Sequence, residues 1–178
     1  MIKVALTPQL TVGDEEAYKS INVKDYSLVI QAAKEPWHRA ALGYKGQGAP
    51  KTSPEYLLAR RENRLILNLV DSPKGSFVPK KIIDDVICEM HARISNGESV
   101  FIHCNKGESR SPSIALLYLL AFGGWNTRCK VDHDSIVEHF KTVYPAYNPS
   151  NGLKEFMTFF WSDYLNMKER IEKWDGTA

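Results

Sequence analysis

The chain has 178 residues, 43% hydrophobic and 25% charged, which suits one compact domain with a sizeable buried core and leaves little room for a second. Its formal net charge of +2, from 23 basic and 21 acidic residues, is too balanced for nucleic-acid binding by bulk attraction. Three cysteines do not make the disulfide framework of a secreted mini-domain.

Residues 1–8 hold no apolar run long enough for a signal peptide, and the longest apolar stretch, residues 114–122, falls far short of a membrane span. A soluble, cytoplasmic, monomeric protein is expected, in a compartment that keeps thiols reduced. In chain order, residues 2–6 read as a short first strand. The β-rich apolar run at residues 27–32 is a second, residues 65–70 a third and residues 99–103 a fourth. Near-continuous apolar strands of this kind suit a parallel sheet covered on both faces.

Between the last two strands, residues 78–95 place Ile82, Ile83, Val86, Ile87, Met90 and Ile94 on one helical stripe. Strand, helix, strand is a βαβ unit, so the third and fourth strands should run parallel. After the fourth strand, Ser111 is expected to cap a helix with Pro112 in its first position, and Gly123-Gly124 to stop it. That helix is apolar nearly all round and should lie deep in the core. Residues 132–143 make another helix. Residues 152–174 make a last one, with Leu153, Phe156, Phe160, Tyr164, Met167 and Ile171 on one face. Residues 33–64 carry a surplus of lysine and arginine and four breakers, Gly43, Gly46, Gly48 and Pro50; residues 54–64 suggest one short helix. That basic surplus reads as a solvated face, with a docking role for phosphosubstrates as the sharper alternative.

The segment from His103 to Ser111 holds Cys-x5-Arg between an expected strand and an expected helix. A helix N-terminus offers unpaired N–H groups and the positive end of a dipole, and a short loop wrapped ahead of it adds more inward amides. The amides of Asn105, Lys106, Gly107, Glu108 and Ser109 are therefore candidate phosphate ligands. Gly107 permits a positive φ at mid-loop, and Arg110 adds a planar fork for two phosphoryl oxygens. The same positive field should favour a thiolate at Cys104, poised for in-line attack on phosphorus. The hydroxyl of Ser111 can stabilise that sulfur when it leaves. His103 either tunes the thiolate or is a core histidine; both readings stay open.

The leaving group needs a proton donor. Asp71 follows the third strand as Cys104 follows the fourth, so parallel strands bring both to the same carboxyl edge. Its setting, Val70-Asp71-Ser72-Pro73-Lys74-Gly75-Ser76, is a turn-rich loop able to move over a pocket. Asp84 and Asp85 lie on the polar side of a helix, and Asp132 and Asp134 look like helix-start residues. Trp37, His38 and Tyr44 follow a strand end and are candidates to border the pocket. A metal site would have to recruit His103, Cys104, Cys129 and His133, which lack ligand-pair spacing, so no metal is expected.

These residues resemble the dual-specificity phosphatases of the cysteine-based protein tyrosine phosphatase superfamily. The likeness lies in residues 29–33 as an early strand, Asn68-Leu69-Val70-Asp71 as a general-acid loop, residues 103–112 as a signature loop, and residues 144–152 leading into a final helix. The resemblance implies a single α/β domain over residues 1–178, with a mostly parallel central sheet of four to five strands flanked by helices. It also implies metal-free, cofactor-free hydrolysis of phosphomonoesters on phosphotyrosine and on phosphoserine or phosphothreonine of phosphoproteins; the balanced charge and short apolar runs give no expectation of a nucleic-acid or membrane partner. The rivals are the same chemistry on a phosphoinositide or an RNA 5′-phosphate, and a phosphoprotein-binding module without turnover.

Overall fold

A computed structural model describes residues 1–125 and 132–175, without the side chains of residues 172–175. Six strands form one mixed sheet: β1 (Lys3–Ala5), β2 (Leu10–Gly13), β3 (Leu28–Gln31), β4 (Leu58–Arg61), β5 (Arg64–Leu67) and β6 (Val100–His103), in the order β1-β2-β6-β3-β5-β4. The central pairs β2–β6, β6–β3 and β3–β5 are parallel; both edge pairs are antiparallel. The expected α/β architecture is thus present, with one strand more than the upper expectation. The strands carrying residues 65 and 100 are parallel but not adjacent, because β3 inserts between them.

Period-two alternation sorts the strand residues onto two faces. Val12, Ile30, Val100 and Ile102 join the larger core, built with α3 (Lys80–Ile94), α4 (Arg110–Ala121), α5 (His133–Val143) and α6 (Asn151–Leu165). Val29 and Phe101 face the other way, against Ala17 and Tyr18 of α1 (Glu15–Ser20). Every residue of α4 is buried, as its all-round apolar pattern requires.

Several expectations are corrected. Residues 54–64 do not form a helix: Leu58–Arg61 pairs with Arg64–Leu67 in a hairpin whose tight turn puts Glu62 at φ 54°. Charged residues on an edge strand hide its alternation. Strand β2, four residues long, escapes the pattern reading altogether. Helix α4 starts at Arg110, with Ser109 rather than Ser111 at the cap and Pro112 inside the first turn, where a missing N–H costs nothing. The final helix breaks at Asn166, and α7 (Met167–Asp175) follows it. A short helix, α2 (Arg39–Leu42), lies within the basic segment, and three of its arginines are paired. Arg39 forks onto Glu35 at 2.6 and 2.7 Å, Arg61 onto Glu55 at 2.7 and 3.0 Å, and Arg60 meets Glu89 at 3.3 Å. Cys129 lies outside the described residues.

Among the described residues, no helix is long and apolar enough to cross a membrane.

The N-terminus of α6 anchors the loop that carries Asp71. Gly152 N–H donates to Ser72 O at 3.1 Å, Gly75 N–H to Glu155 Oε2 at 2.8 Å, and Asn151 Nδ2 to Pro73 O at 3.2 Å. A Cβ at Gly152 would collide with the Ser72 and Lys74 carbonyls, so only glycine allows this approach. Gly152→Ala is expected to lower stability by about 1–3 kcal/mol, read by chemical denaturation; an unchanged midpoint would show the two segments to be separable.

Candidate active site

Strand β6 ends at His103, and the chain then turns through residues 104–109 into α4. The carbonyls of this loop are bound by its surroundings. Asn105 O accepts from Glu15 N–H at 3.3 Å, Gly107 O from the Tyr144 hydroxyl at 2.8 Å, and Glu108 O from Asn148 N–H at 2.8 Å. Burial pushes the Tyr144 phenol far above its ordinary pKa, with the Cys104, Asp14 and Glu108 charges adding to the effect, so it stays a neutral donor. Among the described residues, the amides of Asn105, Lys106, Gly107, Glu108 and Ser109 donate to no protein acceptor. Gly107 has φ 71°, as its mid-loop place predicts, and a Cβ there would press on Asp14 at 3.1 Å.

Asp71, Cys104, Lys106, Glu108, Ser109, Arg110, Asn148, Pro149 and Ser150 line one cavity of about 210 Å³ at this loop. Cys104 is buried, and its Sγ lies 3.2 Å from the Ser111 hydroxyl, for whose single proton the Gly13 carbonyl, also at 3.2 Å, competes. Arg110 is buried too; Nη1 donates to Leu69 O at 3.2 Å and Nη2 to Asn105 Oδ1 at 2.8 Å. Its Nε is buried with no hydrogen-bond partner and lies 4.0 Å from Asp71 Oδ2. Asp71 Oδ1 accepts from the Ser109 hydroxyl at 2.8 Å.

The parallel register therefore brings together the residues that the sequence singles out, Cys104, Arg110, Ser111 and Asp71, with the loop between them. The alternative acids are elsewhere: Asp84 is bound to Lys80 at 2.7 Å and to the Tyr164 hydroxyl at 2.9 Å, and Asp85 to Lys81 at 2.9 Å. Asp132 caps α5, accepting from Ser135 N–H at 2.9 Å. Trp37, His38 and Tyr44 do not line this cavity. Trp37 packs edge-on against His103 and Tyr18, and His38 against Tyr44. Cys88 lies on α3 and lines a different cavity, with Leu58, Arg60 and Leu65. Among the described residues, no group of three or more His, Cys, Asp and Glu side chains is placed to hold a metal ion.

Sequence reasoning missed the supports. Asn105 steadies Arg110 by its side chain, Tyr144 ties down the Gly107 carbonyl, and residues 148–150 form a cavity wall. Residues 144–152 were read only as the entry to a final helix, which gave Tyr144 no role at the loop.

His103 is fully buried, its ring stacked on Tyr18 at 4.4 Å, and neither nitrogen reaches a partner in hydrogen-bond geometry. Burial lowers its pKa to about 4, against weaker opposing pulls from the Cys104 backbone, Glu15 and Asp14. A neutral ring in an aromatic stack fits the core-histidine reading better than a charge that tunes sulfur.

No protein-family model matches the sequence. Dual specificity protein phosphatase 15 of Mus musculus is 25% identical over 111 residues, 61% of this chain and 43% of that protein. The chain spans less than half the length of the curated relatives it matches. The crystal structure of DUSP15 superposes with a TM-score of 0.67 at 20% identity, covering 96% of this chain and 95% of that one. PTPMT1 in complex with PI(5)P gives 0.61 at 15% identity, covering 91% and 96%. The resemblance read from the sequence holds: the fold is that of the dual-specificity phosphatases.

The buried His103 has a pH consequence. Its folded pKa of about 4 lies below the unfolded value of 6.5, so between these values the unfolded chain binds a proton that the folded chain refuses. Stability is present above pH 6.5 and falls as pH drops through that window. In denaturant titrations, the wild type should lose about 2 kcal/mol more than His103→Asn between pH 7 and pH 5. Equal losses would mean that the imidazole charges freely in the folded state.

Proposed function

We propose that this chain, built on the dual-specificity phosphatase fold, hydrolyses phosphomonoesters on phosphoproteins through a cysteinyl-phosphate intermediate. Phosphotyrosine and phosphoserine or phosphothreonine are its substrates. The observation that carries this reading is one cavity holding Cys104, Arg110 and Asp71 at a loop whose amides lack acceptors. Unpaired donors in a row, beside a guanidinium with a free Nε, are what a bound phosphoryl group requires.

In the first half-reaction the amides of residues 105–109 and Arg110 hold the three phosphoryl oxygens. Cys104 Sγ attacks phosphorus as a thiolate, forming the S–P bond while the bond to the leaving oxygen breaks. Asp71 gives its proton to that oxygen. In the second, Asp71 as a carboxylate takes a proton from water, and the hydroxide attacks phosphorus. The S–P bond breaks, and the departing thiolate draws to itself the Ser111 hydrogen bond that the Gly13 carbonyl otherwise shares. Backbone amides and side chains of this chain fill every role, so no cofactor or metal is expected.

The complex of PTPMT1 with PI(5)P raises the same chemistry on a phosphoinositide. Here the cavity lining balances Lys106 and Arg110 against Glu108 and Asp71, so it offers no cationic surplus to a polyanionic headgroup, which favours a singly phosphorylated protein side chain. A module that only binds phosphoprotein has no use for an acid or for a hydroxyl beside the sulfur.

Cys104→Ser should abolish phosphate release from an aryl phosphate while retaining phosphopeptide binding; full activity would remove the thiol from the scheme. Asp71→Asn is expected to slow substrates with poor leaving groups about a hundredfold and 4-nitrophenyl phosphate far less. A uniform loss across leaving groups would demote Asp71. Wild-type turnover should persist in a chelator and stop with a thiol alkylator; inhibition by chelation would overturn the metal-free scheme.

A further inference from the structure

The Ser109 hydroxyl is absorbed neither by the phosphate cradle, which uses backbone amides, nor by the helix it precedes, since it makes no cap hydrogen bond. It is 6% exposed. Its Oγ accepts from Ser150 N–H at 2.9 Å and donates to Asp71 Oδ1 at 2.8 Å. A hydroxyl has one proton and two lone pairs. A backbone amide can only donate, so the Ser150 contact occupies a lone pair. The single proton then goes to the only acceptor the described residues offer it, the Asp71 carboxylate. The direction of both hydrogen bonds is thereby fixed.

This sets apart the two oxygens of a carboxylate that is otherwise 38% exposed on a turn-rich loop. Oδ1 is held as an acceptor. Oδ2 is the oxygen nearer Arg110 Nε, at 4.0 Å, and so faces the group that would grip the phosphoryl oxygens. We propose that Ser109 is a positioning residue for the acid, holding Oδ1 so that Oδ2 carries the transferable proton in both half-reactions. The inference rests on the proposed reading of Asp71 as acid and then base. Ser150 extends the link, because it stands next to the α6 N-terminus that anchors residues 72–75. One hydroxyl thus joins the phosphate loop, the acid and the helix that holds the acid loop. Alignment of this kind raises rate by keeping a proton donor in its productive geometry.

The test compares wild type with Ser109→Ala on an aryl phosphate series from 4-nitrophenyl to phenyl phosphate, with inorganic phosphate as a competitive inhibitor. The same substitution is repeated in the Asp71→Asn background. The expected result is a tenfold or greater loss on phenyl phosphate, a change under about threefold on 4-nitrophenyl phosphate, and unaltered inhibition by inorganic phosphate. In the Asp71→Asn background Ser109→Ala should add no further loss. A uniform loss across the series, weakened phosphate inhibition, or a full additional loss beside Asp71→Asn would make Ser109 a loop-shaping residue and overturn the inference. If Asp71→Asn itself leaves phenyl phosphate turnover intact, it is the underlying acid assignment that fails; if only Ser109→Ala does so, the positioning role alone fails.

Discussion

The structure turns on where one loop sends its backbone hydrogen bonds. Buried amides and carbonyls are normally paired. Between β6 and α4 the pairing is one-sided: carbonyls at residues 105, 107 and 108 are taken by Glu15, Tyr144 and Asn148, while among the described residues the amides of residues 105–109 find no protein acceptor. Binding the carbonyls from outside fixes the curl of the loop before any ligand arrives. The orphaned amides are then a preorganised anion site rather than a defect, which is how such a site gains affinity without reorganising.

The rest of the molecule positions chemistry against that loop. The parallel register sets His103 beside Gly13 and Gln31, which places the β6 exit over the middle of the sheet. Helix α4, buried along its length, is held rigidly with its N-terminus at the loop. The loop that carries Asp71 is tied to α6 through Gly152, Gly75 and Asn151. Acid and cradle therefore meet through two anchored segments, and Ser109 bridges them.

Much of this was legible from residue order. The segment from His103 to Ser111 carries its own chemistry: a short strand, a glycine that tolerates φ 71°, an arginine and a helix start. Asp71 was placed by its position just after a strand expected to end at Val70; β5 in fact ends at Leu67 and β3 separates it from β6, yet the parallel directions still bring Asp71 to the cavity of Cys104. What stayed hidden was either too short or too charged for periodicity. Strand β2 spans only residues 10–13, and the β4–β5 hairpin is masked by Arg60, Arg61, Glu62 and Arg64 at a sheet edge. The supports were hidden for a different reason. Tyr144, Asn148 and Ser150 reach the loop only through tertiary packing; their segment carried part of the resemblance, but nothing in it showed which side chains or amides would bind the loop. His103 sits in the most informative motif, yet it is an aromatic-stack residue on the α1 face.

The central claim is that the loop holds a phosphoryl group over Cys104 long enough for sulfur to take it. The most direct measurement is acid quench of Asp71→Asn during turnover of an aryl phosphate, followed by peptide mass spectrometry. The account predicts one phosphoryl group on the Cys104 peptide, absent when Cys104 is also replaced by serine. Turnover with no phosphoryl group trapped on that peptide, or with the group on another residue, would contradict it.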